Sequence, residues 1–270
     1  MSESLQPSPW RRLRKRLAPL VRRVIPSHLP MGGPYPSYAA ALAEATGYDA
    51  PLVARQVEEA TRAVLEGRAG YERDGTAFAV RPNLPIVGVL AGVLQPESVV
   101  ADFGGGLGGL YINAPELFAP GCRRLVIEQA SMVAAGRRLA VEHGLAIEFV
   151  DAAELAALPP VDVLVLSGVL QYLSDPWSLL AQLLPRARPG VVVLDRTAVR
   201  RGDSRWYLQT NPGVYREPVT YPVQVLDRRR LLAAFPGYRL TRRWHNGFDP
   251  GRPEHLGMLL LRQPPSDGPP

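Results

Sequence analysis

The sequence predicts an α/β fold with a doubly wound, mainly parallel sheet, on three observations. Short apolar runs alternate with helical patterns from residue 98 onward, as in repeated βαβ units. The first run leads directly into a cluster of glycines at residues 104–109. Two further apolar runs close the domain with only a glycine- and proline-rich loop between them, which predicts an antiparallel pair at the sheet edge.

The composition is that of a globular protein whose net charge is confined to one end. Of the 270 residues, 46% are hydrophobic and 21% are charged, enough for a real core. Residues 1–25 carry seven basic side chains and one acidic one, which accounts for the whole net charge of +6. The rest of the chain is neutral, so we expect no nucleic-acid partner. The single cysteine, Cys122, excludes an intrachain disulfide and a cysteine-rich metal site.

Residues 1–36 are interpreted as a basic amphipathic arm and linker. Six apolar side chains fall on one helical stripe with arginines around it: Trp10, Leu13, Leu17, Leu20, Val21 and Val24. This pattern predicts contact of residues 10–25 with an anionic membrane surface, and the alternative is a helix packed on the body. No run is long enough to span a bilayer and no signal-peptide pattern is present. The predicted location is the cytoplasm, with the arm as the candidate contact to the inner membrane face.

The next region, residues 37–96, is predicted to be helical. Ser37 can cap a helix that ends before Gly47, and a second helix opens at Asp49 and runs to about Leu65. A third helix is expected near residues 84–94.

Residues 97–262 form the predicted main domain. Its strands are expected at Val99–Phe103, Leu125–Ile127, Ile147–Val150, Val163–Leu166 and Val191–Leu194, with the antiparallel pair at Tyr238–Trp244 and Leu256–Leu261. An insertion at 198–224 has no clear secondary-structure pattern and is interpreted either as a lid or as a packed excursion with its own core. Its aromatic and amide side chains would suit a polar ring such as a sugar. Residues 263–270 are predicted to be disordered.

The glycine cluster is the candidate ligand site. Glycines at a strand end let the backbone turn tightly and approach a ligand closely: Gly104, Gly105, Gly106 and Gly108. Gly104, Gly106 and Gly109 also have the spacing of the dinucleotide fingerprint, which alone is a weak signal. Asp102 stands two residues before the first glycine, and a carboxylate there suits a cationic ligand better than a pyrophosphate. We therefore predict S-adenosylmethionine as the cofactor, with Asp102 receiving its amino acid moiety.

Acidic residues end the next two strands as well. Glu128, with Gln129 beside it, can accept hydrogen bonds from ribose hydroxyls, and Asp151 can accept one from the adenine amino group. Each acid could instead be a helix N-cap, which for Asp151 is the simpler interpretation. Ser167 and Tyr172 follow the fourth strand and are expected beside the reactive methyl group.

Several segments together resemble a family of bacterial methyltransferases encoded among surface-polysaccharide genes. The resemblance rests on residues 102–108, 126–128, 170–176 and 194–197, with 38–48 and 71–75 also similar. It covers roughly residues 35–245 and implies a Rossmann-like, seven-stranded sheet with a reversed last hairpin. It also implies S-adenosylmethionine as donor and a small-molecule or glycan-linked acceptor, with a sugar hydroxyl as the expected methylated group. Pro115 departs from the pattern: either the helix after the glycines is short and restarts at Pro115, or cofactor binding is altered.

Three residues are candidates for the chemistry at the acceptor. Methyl transfer needs alignment of donor and acceptor, and a hydroxyl acceptor is helped by a general base. His245 and Asp195 are candidate bases, and Tyr172 would sit beside the methyl group. The alternatives are a structural histidine and an Asp195–Arg196 pair that stabilises a loop.

Two other function classes compete with methyl transfer. An NAD-dependent oxidoreductase would need a catalytic tyrosine–lysine pair or similar, and the only lysine is Lys15. A non-catalytic Rossmann-like nucleotide-binding module would fit the Pro115 departure.

Overall fold

Seven strands form the central sheet of the computed structural model, which describes residues 31–46, 50–211, 219–246 and 253–264. Five of them are parallel: β4 (Val99–Phe103), β5 (Arg123–Glu128), β6 (Glu148–Asp151), β7 (Val163–Ser167) and β8 (Val191–Arg200). They lie in the order β6-β5-β4-β7-β8. Next to β8 come β12 (Glu254–Arg262), antiparallel to it, and β11 (Tyr238–His245), antiparallel to β12. The predicted doubly wound sheet with a reversed last hairpin is confirmed.

The strand order changes direction at β4, whose neighbours are β5 on one side and β7 on the other. In doubly wound sheets the crevice at such a point, beyond the carboxyl ends of the strands, is where ligands bind. The register places Glu128 level with Asp151 and Ser167 level with Asp195. The polar residues that follow the buried strands therefore share one rim of the sheet.

Helices cover both faces of the sheet. One apolar cluster lies under α6 (Pro176–Ala187) and α7 (Arg228–Ala233), and the other under α3 (Pro85–Ala91) and α5 (Ala130–His143). The helix α6 begins where the sequence indicates, because Asp175 accepts hydrogen bonds from the amides of Trp177 and Ser178.

The region before β4 is less helical than expected. It contains α1 (Tyr38–Ala43) and α2 (Ala50–Leu65), and then a hairpin of β2 (Tyr71–Arg73) and β3 (Thr76–Phe78). Asp74 and Gly75 form its turn with φ of 51° and 76°, the backbone that an Asp-Gly pair favours in tight hairpins. The prediction of a purely helical region over 37–96 is wrong at this hairpin.

The insertion and part of the linker also differ from expectation. The described residues of the insertion at 198–224 are mainly strands. The strand β8 runs on to Arg200, and β9 (Arg205–Asn211) pairs antiparallel with β10 (Val219–Asp227). The last two residues of β10 then pair parallel with the end of β8. Residues 31–35, predicted as linker, form β1 (Met31–Tyr35) on the free edge of β9. Trp206 and Leu208 pack with Ala41 in a small separate core, as the packed-excursion interpretation expects.

Pro115 limits the helix after the glycines. The helix α4 (Gly109–Asn113) has five residues, and a short 3-10 turn restarts at Pro115. The first alternative for this segment, a short helix that restarts at Pro115, is therefore observed.

The arm with its proposed membrane contact at residues 10–25 lies outside the described residues, as does the tail from residue 265. Among the helices that the structure describes, none is both long and apolar enough to cross a bilayer.

Two helix glycines give a matched test of the packing. A Cβ at Gly136 would lie 2.2 Å from a ring carbon of Phe149, whereas a Cβ at Gly88 would meet nothing within 4 Å. Gly88→Ala is expected to raise the free energy of unfolding by about 0.5–1 kcal/mol through helix propensity. Gly136→Ala is expected to lower it by about 1–3 kcal/mol through overpacking. Urea unfolding of both variants checks this, and equal effects would contradict the packing of α5 on β6.

Candidate functional site

The glycine turn leaves no room for side chains at its first two positions. Gly104 has φ of 73°, and a Cβ there would lie 2.5 Å from Val169. A Cβ at Gly105 would lie 2.6 Å from Oδ2 of Asp102. Tyr111 holds the following helix down, since its hydroxyl donates to the carbonyls of Val100 and Leu125 at 2.9 and 3.0 Å. The turn is thus fixed over the carboxyl end of β4.

Asp102 lies beneath this turn with only 4% of its surface exposed. In the described part of the chain, no donor forms a hydrogen bond with its carboxylate. Burial raises the pKa of Asp102 to about 7, the charge of Glu128 adds to that effect, and Arg196 opposes it. A positive charge placed beside this carboxylate would stabilise its ionised form and offset the cost of its burial.

Glu128 ends β5 beside the same turn. The amide of Gln129 donates to its Oε2 at 2.8 Å, and the amide of Gly106 also favours its ionised form. Burial nevertheless raises the pKa of Glu128, because desolvation outweighs both hydrogen bonds. The structure therefore brings Asp102, the turn and Glu128 together on one rim.

Asp151 lies in register with Glu128 on the adjacent strand. Its carboxylate caps the following 3-10 turn by accepting from the amide of Ala153 at 2.9 Å. This contact is the one that the N-cap interpretation of Asp151 predicts. Gln129 precedes α5, and its side chain does not cap the helix. The side-chain amide of Gln129 therefore stays available beside Glu128.

Asp195 lies in the middle of β8, level with the end of β7, and is the centre of a hydrogen-bond network. Its Oδ1 accepts from Trp244 Nε1 at 2.9 Å and from Asn246 Nδ2 at 2.7 Å, and its Oδ2 lies 3.3 Å from Ser167 Oγ. With so many donors the carboxylate ties β11 and β7 to β8. This arrangement disfavours Asp195 as a general base.

Arg196, next in the chain, is turned into the crevice by a bulge. The register of β8 against β12 shifts between Leu194 and Thr197, and Arg196 takes φ of 49°. Its Nη2 lies 3.5 Å from where a Cβ of Gly168 would stand, and its Nε is 3.9 Å from Asp195 Oδ2. Its charge lowers the pKa of both Asp102 and Tyr172. Sequence reasoning assigned Arg196 only to a loop-stabilising pair and missed this position.

His245 is not brought to this crevice. It lies on β11, four strands from β4, which corresponds to about 19 Å at ~4.8 Å per strand. Its side chain is 47% exposed, with Nδ1 3.5 Å from Glu254 Oε1. The position supports a pairing with Glu254 and gives no support to a catalytic role.

Tyr172 lies in a small polar and aromatic cluster, which we call the acceptor wall: Tyr172, Gln209 and Tyr221. The Tyr172 hydroxyl is 3.3 Å from Gln209 Oε1, and Gln209 Nε2 donates to the Tyr221 hydroxyl at 2.9 Å. The two rings meet edge to face with centroids 5.6 Å apart. Tyr172 keeps 37% of its surface exposed, so the wall presents a ring and polar groups together.

Glu72 is a further site residue that sequence reasoning missed. It belongs to the hairpin β2–β3, is 8% exposed, and its pKa is raised to about 7 because of burial. A Cβ at Gly109 would lie 3.3 Å from its Oε2. The sequence marked the hairpin itself, since Asp74-Gly75 favours a tight turn two residues after Glu72, but it did not show where the hairpin packs.

Comparisons with known proteins give structural neighbours only. No family model and no curated protein matches the chain. The N-terminal domain of EvdMO1, crystallised in the presence of SAH and D-fucose, is 17% identical over 80% of this chain and 97% of that chain, with a TM-score of 0.46. The glycopeptide N-methyltransferase MtfA complexed with S-adenosyl-L-methionine is 15% identical over 66% and 86%, with a TM-score of 0.47. An O-methyltransferase family protein from Burkholderia thailandensis is 17% identical over 66% and 55%, with a TM-score of 0.46.

The raised carboxyl pKa values predict an unusual pH dependence of stability. Asp102 and Glu72 bind protons more tightly in the native state than in the unfolded state, so stability falls as the pH rises from about 4 to 7 and then levels off. A carboxyl whose pKa rises from 3.8 to about 7 costs up to about 4 kcal/mol at pH 8. Asp102→Asn removes the Asp102 part of this cost and is expected to make the profile less steep, with the Glu72 part remaining.

Urea unfolding at pH 5.5, 6.5 and 8 measures the profile of the ligand-free protein. Asp203→Asn, at an exposed carboxylate in the turn after β8, is the control and is expected to leave the slope unchanged. A wild-type protein that gains stability over this pH range would contradict the burial of these carboxyls.

Proposed function

We propose that this chain is an S-adenosylmethionine-dependent methyltransferase whose donor binds over the glycine turn. The observation that carries the proposal is the pair of buried carboxyls, Asp102 and Glu72, on either side of that turn. Each has its pKa raised to about 7 because burial is not offset by a bonded cation in the described residues. A ligand that brings positive charge would supply what both groups lack.

The charge balance of the crevice supports this donor over a dinucleotide. The positive charge of Arg196 acts on both Asp102 and Glu72, and it also interacts with the carboxylate of Asp195. The donor carries a sulfonium and an ammonium against a single carboxylate, so it neutralises part of the excess. The pyrophosphate of NAD would instead add two negative charges beside Asp102 and Glu128.

The remaining rim residues fit the other parts of the donor. Glu128 can accept from two ribose hydroxyls, with Gln129 beside it, and the Asp151 end of β6 lies where the adenine would follow. Ser167, at the end of β7, lies toward the acceptor side, where its hydroxyl bonds to Asp195 and Arg196.

The donor, when bound, supplies an activated methyl group that a nucleophile can displace in line. The protein then has to align the acceptor and exclude water. Tyr172 lies next to the β7 end with its hydroxyl set by Gln209, so it can orient an acceptor hydroxyl. The position of Tyr172 makes it the best supported of the three predicted catalytic residues.

For the acceptor we propose a hydroxyl of a sugar or glycan-linked small molecule. The acceptor wall offers an exposed aromatic ring together with an amide and hydroxyls, the combination that packs on and hydrogen-bonds to a sugar ring. Gln209 and Tyr221 lie opposite each other on paired strands, so they present one constant geometry to which Tyr172 is hydrogen-bonded.

Calorimetry with S-adenosylhomocysteine and with NAD tests the donor. The wild type is expected to bind S-adenosylhomocysteine and to give no heat with NAD. Gly106→Val, which places a β-branched residue at φ of 60°, is expected to weaken binding by at least about 100-fold. Gly202→Val imposes comparable backbone strain at φ of 84° far from the site and serves as control. Binding of NAD alone would refute the proposal.

Methyl transfer from labelled S-adenosylmethionine to a panel of nucleoside-diphosphate sugars tests the acceptor. Gln209→Leu is expected to lower kcat/KM at least about 10-fold, since it removes the group that joins the two tyrosines. Its affinity for S-adenosylhomocysteine should stay unchanged. Transfer only to amines, or full activity of Gln209→Leu, would rule out this acceptor assignment.

A further inference from the structure

The hairpin β2–β3 is fastened to the helix that follows the glycine turn. The side-chain amide of Asn113 donates to the Glu72 carbonyl at 2.8 Å, and its oxygen accepts from the Glu72 amide at 3.0 Å. Arg81 in turn donates to the Asn113 carbonyl and pairs with Glu116 at 2.6 Å. These contacts fix the backbone of Glu72 relative to α4.

The two oxygens of Glu72 have different surroundings. Oε1 accepts from the amide of Gly75 at 3.0 Å, which stabilises the turn of the hairpin. Oε2 points to the start of α4, where Gly109 has no side chain and a Cβ would lie 3.3 Å away. A role in the turn therefore accounts for only one of the two oxygens.

The carboxylate of Glu72 is buried without a bonded cation among the described residues. Arg73, its neighbour in the chain, pairs with Asp74 at 3.3 Å, and Arg196 acts on Glu72 only through its charge. With 8% of the residue exposed, water compensates little of the desolvation. Oε2 accepts no hydrogen bond from the described residues and is not sealed from solvent, so a ligand that carries a positively charged donor can reach it beside the glycine turn.

We propose that Glu72 binds the ammonium group of the methyl donor, so that the hairpin β2–β3 forms one wall of the donor site. This inference rests on the proposed function. Of the two positive groups of the donor, the ammonium is the one that can satisfy Oε2, because it carries N–H donors and the sulfonium carries none.

Two ligands separate this contact from the rest of the donor site. S-adenosylhomocysteine carries the amino acid moiety, whereas 5′-methylthioadenosine has the same adenosine and thioether without it. Glu72→Gln is expected to weaken S-adenosylhomocysteine about 10-fold to 100-fold and to leave 5′-methylthioadenosine unchanged, because one charged hydrogen bond is lost. Glutamine keeps the shape and can still accept from Gly75, so the hairpin should fold.

The control removes the same charge from the same hairpin. The side chain of Asp74 is 69% exposed and paired with Arg73, so Asp74→Asn should change the affinity for neither ligand. Glu72→Asp keeps the charge but withdraws it by one methylene, and an intermediate loss confined to S-adenosylhomocysteine is expected.

The outcomes are distinguishable. Unchanged affinity of Glu72→Gln for S-adenosylhomocysteine overturns the assignment of Glu72, and so does an equal loss for both ligands. Failure of the wild type to bind either ligand defeats the proposed function itself. Thermal unfolding of each variant, measured beside the titrations, identifies any loss that comes from a damaged fold.

Discussion

The arrangement of the site depends on carboxylates that are buried around a backbone turn whose first two positions leave no room for side chains. Asp102 lies against Gly105 on one side and Glu72 against Gly109 on the other. Desolvation dominates the pKa of both, and the nearby Arg196 offsets only part of it. The native fold holds these groups at a cost in stability, and such a cost is typical of sites preorganised for a charged ligand.

The sheet supplies the rigidity that this arrangement needs. Asp195 links the middle of β8 to the ends of β7 and β11 by accepting from Ser167, Trp244 and Asn246. The bulge beside it aims Arg196 across Gly168 toward the glycine turn. The end of β8 pairs with the end of β10 in the small β1-β9-β10 sheet, so the crevice at the glycine turn and the cluster of Tyr172, Gln209 and Tyr221 share one continuous framework.

The sequence predicted the central sheet well because its strands are short buried runs, each recognisable from local pattern. It failed on β1, where Gly32, Gly33 and Pro34 hide the strand, and on β10, where Pro222 does, because both strands form only through distant pairing. In the site, the rim acids were predictable from their positions at strand ends. Glu72 and Arg196 were not, because a hairpin from earlier in the chain and a bulge bring them there. The pair that contains β11 was predicted at the sheet edge, but local pattern does not show how many strands separate that edge from β4, which is what keeps His245 away from the crevice.

The pairing of β1 has a consequence for the basic arm. Met31 lies opposite Gln209, and Gln209 lies opposite Tyr221, so the point where the arm joins the fold is in the same row as the acceptor wall. Only six residues separate Val24, the last apolar residue of the arm's stripe, from Met31, a span of at most about 25 Å when fully extended. Whatever the arm binds is thereby tethered near the acceptor wall. The covalent link raises the local concentration of that surface or molecule at the wall without any added contact.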